Sequence, residues 1–213
     1  MILAFDTETT GLPDWHQPSD AAHQPHIVQL AAILADDDGT ERASANLIVC
    51  PNCWDIPTEA AAIHGITQDR AVACGVSEEL AVETWMSLIL GPLQPGRSRM
   101  RSQEGWPIVV AHNDSFDWRI MRIAMLRCGY TRERIEEMEH TTNRACTMRM
   151  ATPILNLPPT DRMRAAGFTK PKSPSVSECM AHFFAGELHT GAHDAMADAR
   201  ACLRLYLHMV NQG

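Results

Sequence analysis

The 213-residue chain is 45% hydrophobic and 21% charged, enough for one well-cored domain and short for two, so a single domain over 1–213 is expected. A formal net charge of −8 argues against a protein that coats nucleic-acid duplexes, and no apolar run approaches membrane-spanning length. No positively charged leader with an apolar core precedes Ile2, and the seven cysteines are scattered and odd in number, so the expectation is a soluble cytoplasmic protein with reduced thiols.

Met1 to Gly11 reads MILAFDTETTG, and Ile2–Glu8 is predicted as a strand. Period-2 geometry puts Ile2, Ala4, Asp6 and Glu8 on one face and Leu3, Phe5 and Thr7 on the other, so the strand is apolar on both sides and belongs in the middle of a sheet. Two carboxylates there are costly unless something neutralises them; at this spacing Asp6 and Glu8 can share one hard cation, magnesium or manganese. Leu12–Pro25, with three prolines, is predicted as a loop overhanging these acids. His26–Leu34 and Ala43–Val49 read as two more strands joined by the turn Asp36–Gly39, which lacks the ligand spacing of a calcium loop.

Cys50 and Cys53 form one C-x-x-C pair without a matching second pair, which favours free thiols over a zinc site. A short helix over Thr58–Thr67 breaks at Gly65, and a long one spans Val76–Leu90. Gly91–Pro107 carries Arg97, Arg99 and Arg101 and reads as a solvated loop. Ile108–Ala111 is a short buried strand, followed by a helix over Phe116–Cys128 that Gly129 stops. Ala145–Met150 is a further short strand, Pro153–Pro174 is irregular and basic, and helices over Val176–Phe184 and Ala192–Val210 close the chain. The order of elements predicts an α/β fold, a mixed sheet with helices packed on it.

Two more acids lie where helices should be apolar. In the last helix Asp198 sits within the inward stripe of Ala195, Ala199, Cys202, Leu203, Tyr206 and Val210 and needs a cation or donors. Asp117, in the first turn of its helix, also has a plain explanation in the helix dipole. Four carboxylates, Asp6, Glu8, Asp117 and Asp198, are enough to hold two magnesium ions for chemistry at phosphorus, and their metals would offset four of the surplus negative charges. Of ten histidines, His193 is best placed as a general base, at the entrance of the last helix; Asp194 is explained as a cap or first-turn acid.

FDTETTG at Phe5–Gly11, AHNDSFD at Ala111–Asp117 and HDAMAD at His193–Asp198 resemble, in order, the three motifs of the DEDDh 3′–5′ exonucleases, the group that includes the proofreading epsilon subunit of bacterial DNA polymerase III, RNase T and oligoribonuclease. IHGIT at Ile63–Thr67 is similar to the family's segment beside the terminal nucleotide. The resemblance implies an RNase H-like fold with a mixed five-stranded sheet, and two Mg2+ with Mn2+ as a substitute. Asp6 would bridge the ions, Glu8 and Asp198 would complete the first, Asp117 would serve the second, and His193 would be the base. It also implies terminal-nucleotide contacts from Thr9, Thr10, Gly11, Leu12, His64, Asn113 and Phe116.

The expected partner is single-stranded nucleic acid, DNA before RNA, with frayed 3′ ends included. An exoribonuclease acting on RNA ends or short oligoribonucleotides is the alternative within the same chemistry, and an inert binding module the alternative outside it. Fifteen residues follow Asp198, too few for a polymerase-binding tail, which points to a free-standing enzyme; a homodimer stays open.

Overall fold

The computed structural model describes residues 1–91 and 105–211. In chain order the elements are β1 (Ile2–Thr9), β2 (Ile27–Ala35), β3 (Glu41–Ile48), α1 (Thr58–His64), α2 (Gln68–Cys74) and α3 (Glu78–Leu90). They continue with β4 (Ile108–Ala111), α4 (Asp114–Arg127), α5 (Arg132–Thr141) and β5 (Arg144–Cys146). Helices α6 (Thr147–Leu155), α7 (Asp161–Ala165), α8 (Val176–Phe183) and α9 (Ala195–Asn211) complete the chain. The five strands form one sheet in the order β3-β2-β1-β4-β5, with β1 antiparallel to β2 and parallel to β4, and β4 parallel to β5.

Strand β1 is central because both of its faces are apolar and both are covered. Leu3 and Phe5 pack into the larger core with α3 and α4, where Phe5, Trp85 and Trp118 form an aromatic triad with ring centroids 5.3–6.3 Å apart. Ile2 and Ala4 face the opposite way, onto Ala195, Ala199, Cys202 and Tyr206 of α9. The pleat therefore decides where the acids go. Asp6 and Glu8 continue the face that α9 covers, and Thr7 continues the face that α4 covers. Truncating a triad member such as Phe5 to Ala costs about 3–5 kcal/mol, and it would loosen the strand that carries both acids.

Several elements depart from the sequence reading. Val76 pairs in parallel with Val49, and α3 starts only after Ser77, whose side chain caps Leu80 N. Helices α2 and α5 bury few side chains, Ala71 in the first and Ile135 and Met138 in the second, so no apolar stripe announces them. β5 stops at Cys146, where Thr147 begins a helix in place of the strand expected to Met150. The Pro153–Pro174 stretch is not wholly irregular: α6 runs through Pro153, and α7 is capped by Thr160. α4 starts two residues earlier than expected and α9 three residues later, and Val210 is exposed at 44%, outside the inward stripe. Arg97, Arg99 and Arg101 lie outside the described residues.

Candidate active site

β1 and β4 run parallel, so their C-terminal ends lie on one edge of the sheet, and α4 and α9 both begin there. That edge holds an open cavity of about 700 Å³. It is lined by Asp6, Glu8, Asp117, His193 and Asp198, and also by Thr9, Thr10, Gly11, Leu12, His64, Asn113 and Phe116, so residues up to 192 positions apart in sequence share one wall. The loop after β1 behaves otherwise than expected. Of Leu12–Pro25 only Leu12 lines the cavity. The rest is drawn toward α4, because Arg119 donates to Gln17 O at 2.6 Å and Arg127 donates to Pro25 O at 2.8 Å, while the buried Gln24 side chain bonds Asp14 and Pro18 across the loop.

Asp6, Glu8 and Asp198 each turn a carboxylate oxygen to a common point, all within 4.8 Å of one another. Asp117 stands outside this trio. Its Oδ1 accepts two hydrogen bonds from Thr7, from the backbone N at 3.0 Å and from Oγ1 at 2.8 Å. Asp198 is also held from outside: Oδ2 accepts the His193 N–H at 2.8 Å and Oδ1 accepts from His189 Nε2 at 2.7 Å. Asp6 and Glu8 form no ion pair or side-chain hydrogen bond among the described residues.

The electrostatics follow from that arrangement. Burial, then the charges of Asp117, Asp198 and Glu8, hold the Asp6 carboxyl well above its ordinary value. Burial, then Asp198 and Asp194, push Glu8 up to about 7. Burial raises Asp117 to about 8 against the pull of the two Thr7 hydrogen bonds. Three converging oxygens that meet no lysine or arginine among the described residues, with His189 alone reaching Asp198, fit a hard divalent cation. Among the described residues no other group of three potential ligands forms, and Cys50 and Cys53 are free thiols.

Local backbone features aim the surrounding side chains. Asn113 adopts φ 69° as the junction between β4 and α4, and Asp114 just after it is buried against Arg144 and Arg149, each at 2.9 Å, with Arg144 stacked over Trp118. His193 also lies in the left-handed region, at φ 66°, and is exposed at the cavity rather than inside α9. Asp194 caps α9 as its position suggested, accepting from Met196 N and Ala197 N. Gly65, at φ 72°, ends α1 and lets Ile66 N donate to His64 Nδ1 at 3.1 Å, which leaves the buried His64 Nε2 at the cavity wall without a partner among the described residues.

Sequence reasoning missed three contributors. His189, with a side chain only 5% exposed, lies in a segment without helical or strand periodicity, and nothing but its residue type marks it. Thr7 counts in the sequence only as a position on the Leu3–Phe5 face, and a hydroxyl one residue from Asp6 is the signal it offers. His112 has no role that the motif alone assigns; its Nε2 donates to Pro174 O at 2.9 Å and so ties the cavity wall at Ser175–Ser177 to the end of β4.

No protein-family model and no curated protein matches the chain. Solved structures do. A complex of E. coli exonuclease I with a dT13 oligonucleotide superposes with a TM-score of 0.67 at 22% identity, over 97% of this chain. The fold is shared with part of exonuclease I. A zinc-bound exonuclease I–ssDNA complex gives a TM-score of 0.69 at 21% identity, and exonuclease I from Methylocaldum szegediense gives 0.68 at 21%, each over 99% of this chain. The chain spans about 40% of the length of exonuclease I in these matches. The five-stranded mixed sheet with its flanking helices is the RNase H-like arrangement anticipated from the motifs.

Proposed function

We propose that this chain is a metal-dependent 3′–5′ exonuclease that hydrolyses the terminal phosphodiester of single-stranded DNA and releases nucleoside 5′-monophosphates. The observation that carries the reading is the convergence of the Asp6, Glu8 and Asp198 carboxylates within 4.8 Å in the wall of an open cavity, with Asp117 and the exposed His193 in the same wall. An inert binding module has no use for uncompensated acids at this cost. The exonuclease I structures that share the fold include oligonucleotide complexes, which supports a single DNA strand as the substrate class.

Asp6, Glu8 and Asp198 would hold one cation, and Asp6 with Asp117 a second; oxygen ligands select magnesium, with manganese as the substitute. Bound there, the cations supply charge stabilisation at the scissile phosphate and the departing 3′ oxygen. His193 acts as general base, taking a proton from the attacking water as the water oxygen bonds to phosphorus and the P–O3′ bond breaks. Its own N–H, given to Asp198 Oδ2, fixes the imidazole's backbone to the acid cluster. Thr9 Oγ1 donates to Gly11 O at 2.7 Å and Thr10 Oγ1 accepts from His26 N at 2.9 Å. Those bonds set the turn that carries Gly11 and Leu12 along the cavity, where the exposed Leu12 and Ile63 side chains offer apolar surface to the terminal bases. His64, Asn113 and Phe116 complete the wall around the terminal nucleotide.

The test is digestion of matched 3′-labelled and 5′-labelled DNA and RNA oligonucleotides with Mg2+, Mn2+ or EDTA. Immediate mononucleotide release from the 3′ label and a descending ladder from the 5′ label, both stopped by EDTA, is the expected result, with DNA the faster sugar. No cleavage under any condition refutes the nuclease reading, and faster RNA digestion refutes the DNA preference.

A further inference from the structure

We propose that the loop formed by residues 157–172, which carries α7, is a docking strip for the single strand a few nucleotides upstream of the end held in the cavity; this rests on the nuclease reading. The chain as a whole carries −8, yet 157–172 holds Arg162, Arg164, Lys170 and Lys172, including both lysines of the protein, against one acid, Asp161. Two of the four cations are spent locally: Arg164 turns in on Asp161 and Pro159 O, and Lys172 reaches Glu178 at 2.5 Å. Arg162 and Lys170 are exposed, and no ion pair or side-chain hydrogen bond among the described residues takes them up. Between them Phe168 presents its ring to solvent at 62% exposure. Two free cations and an open aromatic face on one short segment complement a single strand, whose phosphates need charge and whose bases need a stacking surface.

The segment is anchored beside the cavity wall. Lys172 N donates to Leu157 O at 3.1 Å and closes its base. Two residues on, Pro174 O is held by His112, and Ser175 to Ser177 line the cavity. At about 3.5 Å per residue, Lys170 lies within roughly 14 Å of Pro174. The strip also supplies what the cavity lacks. Its acids repel the backbone of any strand that enters, so attraction has to come from beyond the wall.

The experiment compares wild type with the triple variant R162A/F168A/K170A, all three positions being exposed. Binding of a fluorescent DNA 12-mer and of a trinucleotide is read by anisotropy in EDTA, and hydrolysis of both is read in Mg2+. The variant is expected to bind the 12-mer ten- to hundredfold more weakly, with the salt slope of log K smaller by about 1.4 for two lost phosphate contacts. Trinucleotide binding and hydrolysis should match wild type. Equal 12-mer affinity and salt slope in the two proteins overturns the strip, whether or not either cleaves. A wild type that binds but hydrolyses neither substrate overturns the nuclease reading, and weakening that is equally large for a glutamate 12-mer overturns the assignment to nucleic acid.

Discussion

Substituting Glu8 with Gln removes one charge from the acid cluster and nearly nothing else in volume, so the two proteins differ mainly in electrostatics. Glu8 is raised from 4.5 to about 7 by burial and by Asp198 and Asp194. A carboxyl held above its unfolded value keeps a proton in the folded state that the unfolded chain has released. Folded stability therefore falls as pH climbs from about 4.5 toward 7 and is level above that. The shift corresponds to about 3 kcal/mol, which solvent at the open cavity reduces to about 2 kcal/mol. Metal-free Glu8→Gln is accordingly expected to be about 2 kcal/mol more stable than wild type at pH 8.5, a rise of about 4–8 °C in Tm for a chain of this size. At pH 5 about a quarter of that gain should remain. Urea unfolding in EDTA, followed by far-UV circular dichroism at both pH values, measures the difference. Saturating Mn2+ should reverse the order at pH 8.5, because wild type gains more from the ion than the variant. A variant equally stabilised at pH 5 and pH 8.5, or destabilised at pH 8.5 without metal, would falsify the account of repelling, desolvated carboxylates.

The remaining expectations concern the groups around the acids. His193→Ala should lower kcat by about 10²–10⁴-fold while Mn2+ affinity measured by calorimetry stays near wild type; unchanged turnover across the pH range refutes its role as base. His189→Ala should weaken Mn2+ binding about 10–100-fold by freeing Asp198 Oδ1, and His189→Gln, which keeps a donor at similar reach, should recover most of it. If both variants bind Mn2+ as wild type does, His189 serves packing alone. Arg144→Ala removes one of two partners of the buried Asp114 and the cation over Trp118, and should cost about 2 kcal/mol in denaturant unfolding; a loss under 0.5 kcal/mol would mean that Arg149 suffices.

The site was legible where short-range periodicity and chemistry coincide. Alternation along Ile2–Glu8 was enough to place Asp6 and Glu8 on one face, and the inward stripe of α9 was enough to make Asp198 anomalous. What stayed hidden depends on partners far away in sequence. The course of Leu12–Pro25 is decided by Arg119 and Arg127, about a hundred positions later, and the service of His189 depends on how its segment folds back on α9. Elements with little buried surface were hidden for another reason. With Ala71 as the single buried residue of α2 and only two in α5, capping by Thr67 and Thr131 is the signal that remains. Thr147 likewise reads as strand by propensity, yet Cys146 accepts from Arg149 N and starts a helix there.

The four acids are tolerated in two different ways, and the difference sets their roles. Asp117 and Asp198 both sit in the first turn of a helix, α4 and α9, where the positive end of the helix dipole favours a carboxylate. Each is further held by two donors, Thr7 for the one and His189 with His193 N for the other. These two are oriented before any ion arrives. Asp6 and Glu8 come from a strand, which has no comparable dipole, and no donor among the described residues meets them. Their repulsion is the part of the cluster that a cation can relieve most, so they should dominate metal affinity while Asp117 and Asp198 dominate geometry. Asp6→Asn should then release more of the apo protein's strain at pH 8.5 than Asp198→Asn, which keeps one oxygen acceptor and so loses one of the His189 and His193 N–H bonds as it loses its charge. The same urea titrations rank the two, and a larger apo stabilisation from Asp198→Asn would reverse this division of labour.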